Sequence, residues 1–369
     1  MMSRHFQIKR KLFLPIIALC LSAEVSFGQT SPEYFYHGRE YGSEAIYNPL
    51  SLIINGGFDV LQASAHSRAL STLSMDIGAK NVWENISNPF PQINKFGWSR
   101  FLGQEVFPTS LAITKAQYWP NYTLHLIGGG MTSRATLEWF HHHDIPYPSL
   151  WTGVTIAAYH FVNEAVENGA FVGPNVDPIA DIWIFDVGGV VLFTSDQVCE
   201  FFSRTLYLTE WDGQPTYNPT FGTVENEGQN FVMKYPLHFL SHVSLFYYFG
   251  DNGMLGLSFE RKNGHSITVS GGFVSKELRT VDSRNGTRTV TAELGWIAGI
   301  FYDRDNSLLA SLILSDKINE RVKINMYPGV LNIAGISPGI FCSMGMGSQF
   351  IAGLTVRYVP FGLAYRNEM

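Results

Sequence analysis

His160, Glu164 and Glu167 are spaced i, i+4 and i+7, so a helix through them sets all three on one face. His125 precedes Gly128-Gly129-Gly130, and Asp177, Asp181 and Asp186 precede Gly188-Gly189. Glycine clusters let helices approach closely, which would draw these polar groups together. An imidazole with two or three carboxylates can hold a metal, with His160 and Glu164 as candidate ligands, or can do acid–base work. The candidate catalytic residues are therefore His125, His160, Glu164, Glu167 and Asp181. The same groups could equally form a buried hydrogen-bond network that fixes helix register. A carboxylate in a helical core is costly unless paired, and Arg134 and His125 are the expected partners.

Other polar residues carry less chemistry. His141-His142-His143 point in different directions from a helix end and read as partial cations favouring its C-terminus. Glu260, His265 and Ser266 lie on strands without diagnostic spacing. No Gly-x-Ser-x-Gly elbow, His-Glu-x-x-His or phosphate-binding glycine loop occurs, so no cofactor is expected.

The elements that must position the first group read as helices. Asn48-Pro49 starts one, with Leu50, Ile53, Ile54, Phe58 and Leu61 at helical spacing. A second runs through Trp83 and Ile86 and stops at Pro89 and Pro91. A third covers 96–106, a fourth 122–141, and a fifth 150–168 with Gly169 as C-cap. A sixth opens at Asp177-Pro178 and runs toward Phe202. A loop rich in Gly, Pro, Asn and Thr follows over 212–228.

From Gln229 the pattern changes to strands. Val290, Ala292, Leu294, Trp296, Ala298, Ile300 and Tyr302 share one face, while Thr287, Thr289, Thr291, Glu293, Gly295 and Gly299 share the other. Strict period two, apolar against small or polar, is the pattern of an outer-membrane β-barrel strand. Asp251-Asn252-Gly253, Asn263-Gly264, Asn285-Gly286 and Asp305-Asn306 supply hairpin turns. The rows of Leu255, Leu294 and Leu312 are expected to face acyl chains. A water-soluble body with those rows inside is the alternative, since alternation alone does not say which face is buried.

The bulk numbers agree with an envelope protein. Arg4, Lys9, Arg10 and Lys11, then an apolar run over 12–21, then Ser26-Phe27-Gly28, read as a secretory signal over 1–28. Aromatic residues make up 14 % of the 369, including 27 Phe and 17 Tyr, which suits the aromatic girdles of a barrel. The net charge of −6 and the lack of a basic patch exclude nucleic acid as a partner. Cys199 and Cys342, the two cysteines after the signal, read as small buried apolar residues rather than a disulfide framework.

Asn121-Tyr122-x-x-His125, Gly128, Gly130 and Arg134, Ser149-x-Trp151, Glu164 and Glu167, Pro178-x-x-Asp181 and Gly188-Gly189 together resemble an uncharacterised bacterial envelope family, the domain of unknown function number 3943. Leu126, Asn163 and the end of the apolar run at Phe193 depart from its pattern. The resemblance spans 121–193 and implies an outer-membrane protein without implying a reaction.

The expected fold class is α+β: a helical domain over 29–211, then an antiparallel β-barrel of about eight to ten strands over 229–365. The expected function is that of an outer-membrane barrel with a helical plug or periplasmic cap, in envelope structure or maintenance, with membrane lipids or another envelope component as partners. A lipid- or glycan-modifying enzyme built on the His/Glu/Asp group is the first alternative, a narrow channel the second. The location is the outer membrane, or else the periplasm.

Overall fold

The computed structural model describes residues 33–63, 69–107, 121–282, 288–357 and 359–367. The signal reading over 1–28 and the Asn285-Gly286 turn lie outside them. The chain forms two compact units. One holds 1–36, 74–199 and 282–289, and the other holds 37–73, 200–281 and 290–369. The division differs from the expected one, because 37–73 and the 212–228 segment both join the strands. Cys199 and Cys342 are free thiols.

The helical unit contains α2 (Met75–Ile86), α3 (Pro89–Phe96), α4 (Gly130–His142), α5 (Pro148–Asn168), α6 (Asp177–Ala180) and α7 (Val187–Leu192), numbered after α1 (Pro49–Gly57) of the other unit. α2 ends at Ile86, ahead of Pro89 as expected, and Pro89 then opens α3 as a proline at N1. Stretches of π-helix run over Leu102–Val106, Asn121–Gly129 and Asp181–Asp186. Ile93, Phe101, Val176, Ile179 and Phe185 form an apolar core beside them. No single helix among the described residues is long and apolar enough to cross a membrane.

The second unit is a mixed, mostly antiparallel sheet of thirteen strands. They are β1 (Thr209–Glu210), β2 (Thr216–Asn218), β3 (Thr223–Glu225), β4 (Phe231–Pro236), β5 (Val243–Phe249), β6 (Asn252–Glu260), β7 (His265–Asp282), β8 (Arg288–Arg304), β9 (Ser307–Ser315), β10 (Val322–Met326), β11 (Pro338–Met344), β12 (Phe350–Val356) and β13 (Gly362–Arg366). The order is β1, then β4 through β13 in sequence, then β2 and β3.

The sheet is not a closed barrel, which corrects the expectation. The ladder stops because β4 and β13 do not pair with each other. Both pair with pieces of one segment: β1 lies antiparallel on β4, and β2 lies parallel on β13. The first residues after β1 carry its antiparallel register on beyond β4. The Trp211 N–H donates to the Asn230 carbonyl at 2.7 Å, Gly213 N–H donates to Gly228 at 2.9 Å, and the Asp212 carbonyl accepts from the Tyr327 hydroxyl at 2.6 Å. Residues 211–215 reach at most about 20 Å when extended, so the two ends of the sheet curl round to within that distance.

Strand register shows which face is which. One continuous row runs Ile300, Leu312, Ile324, Cys342, Ala352, Tyr365 across β8–β13. Its counterpart one residue along runs Phe301, Ser311, Asn325, Phe341, Gly353, Ala364. The first row is the outward one. Leu255 (62 % exposed), Phe273 (66 %), Trp296 (53 %) and Leu363 (64 %) all belong to the outward set.

The inward set is buried and largely polar. Thr268 donates to the Ser258 hydroxyl at 2.8 Å, and Asn226 donates to Asn325 at 3.0 Å. Lys234 meets Asp303 at 2.7 Å and Lys317 meets Asp251 at 3.1 Å. An aromatic and aliphatic cluster of Trp211, Phe246, Tyr248, Met254, Val274 and Phe301 fills the rest. Asn55 of α1 donates to the Gly213 carbonyl and accepts from the Gly228 N–H, so this short helix packs into the same interior. Asn48 and Ser51 form its capping box.

Candidate functional site

The helical polar group is assembled by a close crossing. A Cβ on Gly130 would stand 2.7 Å from the Gly189 carbonyl oxygen, and one on Gly189 would stand 2.5 Å from the Leu126 carbonyl oxygen. Only glycine permits that approach. It sets the π-turns over Asn121–Gly129 and Asp181–Asp186 side by side. From α2, Asn81 donates to the Gly173 carbonyl at 2.9 Å, and Asn85 accepts from the Asn175 N–H at 3.0 Å. These bonds fix the loop that leads into Asp177.

Asp186 is the hub. Its carboxylate lies 2.9 Å from His125 Nδ1 and 3.0 Å from His160 Nδ1. The two imidazole rings stack with centroids 5.6 Å apart. His125 turns its other nitrogen, Nε2, toward Asp181 Oδ2 at 3.9 Å. Asp181 and Asp186 are five residues apart, which on an α-helix would part them by about 140°. The π-turn, closing every fifth residue, returns both to the His125 side.

Two sets of ligand-type atoms result. His125, His160 and Asp186 form one, and His125, Glu164 and Asp181 form the other. Within each set the ligand atoms lie within 4.8 Å of one another. Of the five candidates, the structure thus unites His125, His160, Glu164 and Asp181. Glu167 belongs to neither set, although its charge acts on both His125 and Asp181. His160 and Glu164, expected as joint ligands, fall in different sets.

Electrostatics separates the members. Burial alone would lower the His125 pKa, but the Asp186 carboxylate hydrogen-bonded to it leaves it above the ordinary value. Burial and the neighbouring His125 charge push His160 well below its ordinary value. Burial raises Asp186, an effect that His125 partly offsets. Asp181 lies well above the carboxylate range through burial, and the charges weighing on it are Asp177, Glu164, Asp186 and Glu167, all acidic. Asp181 Oδ1 and His160 Nε2 are buried and have no hydrogen-bond partner.

Arg134 does not serve this group, contrary to expectation. It donates through Nε to Glu138 at 2.9 Å and through Nη2 to Asp196 at 3.0 Å. Glu138 in turn accepts the N–H groups of Tyr34, Phe35 and Tyr36 at 2.8–3.0 Å. The sequence reading did not single out Glu138, and it also missed Glu105. Burial and the nearby Asp177 charge push Glu105 up to about 8.

His141 and His142 lie in the last turn of α4, but burial and the Arg134 charge lower the His141 pKa, against its expected part as a partial cation. His143 donates through Nδ1 to the Trp139 carbonyl at 2.9 Å and stacks on the Trp139 ring. The strand trio does not converge, because His265 and Ser266 are adjacent on β7 and face opposite sides of the sheet.

No protein-family model, curated protein or solved structure matches the chain.

Proposed function

We propose that the chain is an outer-membrane protein whose curled sheet sits in lipid, with a role in envelope structure or maintenance and membrane lipids as its partners. One observation carries this reading: the exposed face of the sheet is apolar and the buried face is largely polar. A water-soluble sheet has the reverse arrangement, whereas strands in a bilayer turn their apolar residues to acyl chains. Bare sheet edges are not tolerated in hydrocarbon. Here β1 and β2 each cover two residues, of β4 and β13 respectively, and the short strands β1 and β3 form the edges. The resemblance over 121–193 to an envelope family supports the same location.

The interior is occupied, which argues against a channel. One cavity within it has a volume of about 40 Å³ and is lined by Gln62, Asn226, Lys317, Lys323 and Asn325 among others. That is room for one or a few waters. The test of the membrane reading is fractionation of cells expressing the protein. The mature chain is expected in the outer-membrane fraction, extractable by detergent and resistant to carbonate washing. Release with the periplasmic contents would refute the reading.

A further inference from the structure

We infer that the helical unit binds a divalent transition-metal cation through His125 Nε2, Asp181 and Glu164, with Asp186 as the residue that positions His125. The inference is independent of the membrane reading, since it concerns the helical unit alone.

The geometry is nearly that of a bound ion. Two ligands about 2.1 Å from a common ion in tetrahedral array stand about 3.4 Å apart. The Nε2–Oδ2 separation of His125 and Asp181 is 3.9 Å, and the ligand atoms of the three-residue set stay within 4.8 Å. Small side-chain movements therefore close the set around an ion.

The supporting contact is also in place. A metal-bound histidine characteristically donates its other ring N–H to a carboxylate, which fixes the tautomer and aims the free nitrogen. His125 Nδ1 makes that bond to Asp186 at 2.9 Å, so the nitrogen left for an ion is the one facing Asp181. Asp186 Oδ2 also lies 3.0 Å from His160 Nδ1, without hydrogen-bond geometry, so His160 packs beside the carboxylate. The set containing His160 thus reads as the supporting layer and the set containing Glu164 as the ligands.

A further observation points to a ligand. Asp181 Oδ1 is buried and has no hydrogen-bond partner, and the charges that act most on Asp181 are negative. Buried carboxylates persist when they are paired or coordinate a metal. His125 is the most open of the three ligands, with 14 % of its side chain exposed, and offers the way in.

One imidazole and two carboxylates form a mixed nitrogen and oxygen donor set that suits Zn²⁺, Mn²⁺ or Fe²⁺ over soft Cu(I). Three protein ligands leave at least one coordination position for water.

The experiment uses the purified full chain in detergent, stripped with a chelator and titrated with Co²⁺ as a coloured stand-in for Zn²⁺. We expect one Co²⁺ per chain, a visible d–d absorption without thiolate charge transfer, and loss of the colour when Zn²⁺ is added. Asp181→Asn and Glu164→Gln should each abolish the band or weaken binding at least tenfold, with far-UV circular dichroism like that of the parent. Asp186→Asn should keep the stoichiometry and weaken binding about 10–100-fold, as expected for an outer-layer partner. His160→Gln should keep the band. Absence of saturable Co²⁺ binding by the parent overturns the inference. So does an unchanged band in both Asp181→Asn and Glu164→Gln. Should Asp181→Asn fail to fold, Glu164→Gln and the parent titration still decide the matter.

Discussion

Both units bury ionised side chains, and they compensate for them differently. In the sheet unit three acids face a lysine: Asp303 has Lys234, Asp251 has Lys317 and Glu320 has Lys323, whereas burial and the acidic neighbours Glu210 and Asp59 raise Asp212. In the helical unit the charges around Asp181 repeat its own sign, and Arg134 is committed elsewhere. Desolvating a charge costs several kcal/mol that a partner must return. For those three acids the sheet carries its compensation within the chain. The helical cluster sets its acids against two histidines instead. Buried polarity therefore has two meanings here, and the partner distinguishes them.

The sharpest way to break the contrast is to remove one lysine from the sheet. Lys234→Met leaves Asp303 buried without its partner and should cost about 3–5 kcal/mol in urea unfolding. Replacing both residues by apolar ones of similar size should restore most of that loss. A smaller loss for the single variant would mean that water reaches Asp303.

The outward face comes next. Leu255→Arg should destabilise the sheet by about 2–4 kcal/mol if the residue sits near the bilayer midplane. The check is refolding into lipid vesicles, read by gel mobility of the folded form. A residue facing water would show almost no change.

The smallest expected effect belongs to the helical cluster without metal. Glu105 has its pKa raised by burial and Asp177 from 4.5 to about 8. The unfolded chain gives up this proton first, so the contribution is present below pH 4.5 and is lost as pH rises toward 8. Asp181 acts in the same direction. His160, whose pKa is lowered, acts oppositely and costs stability below its ordinary 6.5. Glu105→Gln should therefore recover stability at pH 8 and little at pH 5, measured by thermal unfolding followed at helical wavelengths.

Particular residues explain what could be read in advance. The Asn263-Gly264 turn has both residues at positive φ, 61° and 74°, and Asp305-Asn306 does the same at 49° and 65°. Local chemistry of that kind writes itself into the sequence. Alternation on β8 likewise gave the correct row, and the burial pattern then decided which way the row faces. The glycine clusters announced the close crossing and so the meeting of His125 with Asp186.

Three things carried no such mark. The i, i+5 pairing of Asp181 with Asp186 belongs to no α-helical face and becomes visible only with the π-turn. The short strands β2 and β3 sit in a stretch whose Gly, Pro and Asn content reads as loop, and β1 closes the stretch expected to be helical. Glu138 and Glu105 are single acids in apolar surroundings. Their roles depend on backbone and charges distant in sequence, which no spacing rule reaches.

The segment between β1 and β2 has a consequence for assembly. The parallel contact of Gly362 with Thr216 joins a strand made last to one made before the long meander. Pairings of such separation form late, after the intervening loop entropy has been overcome. A nascent chain thus carries its own selvedge and waits for β13 to be stitched to it, so loss of β13 would leave the weave open along one side.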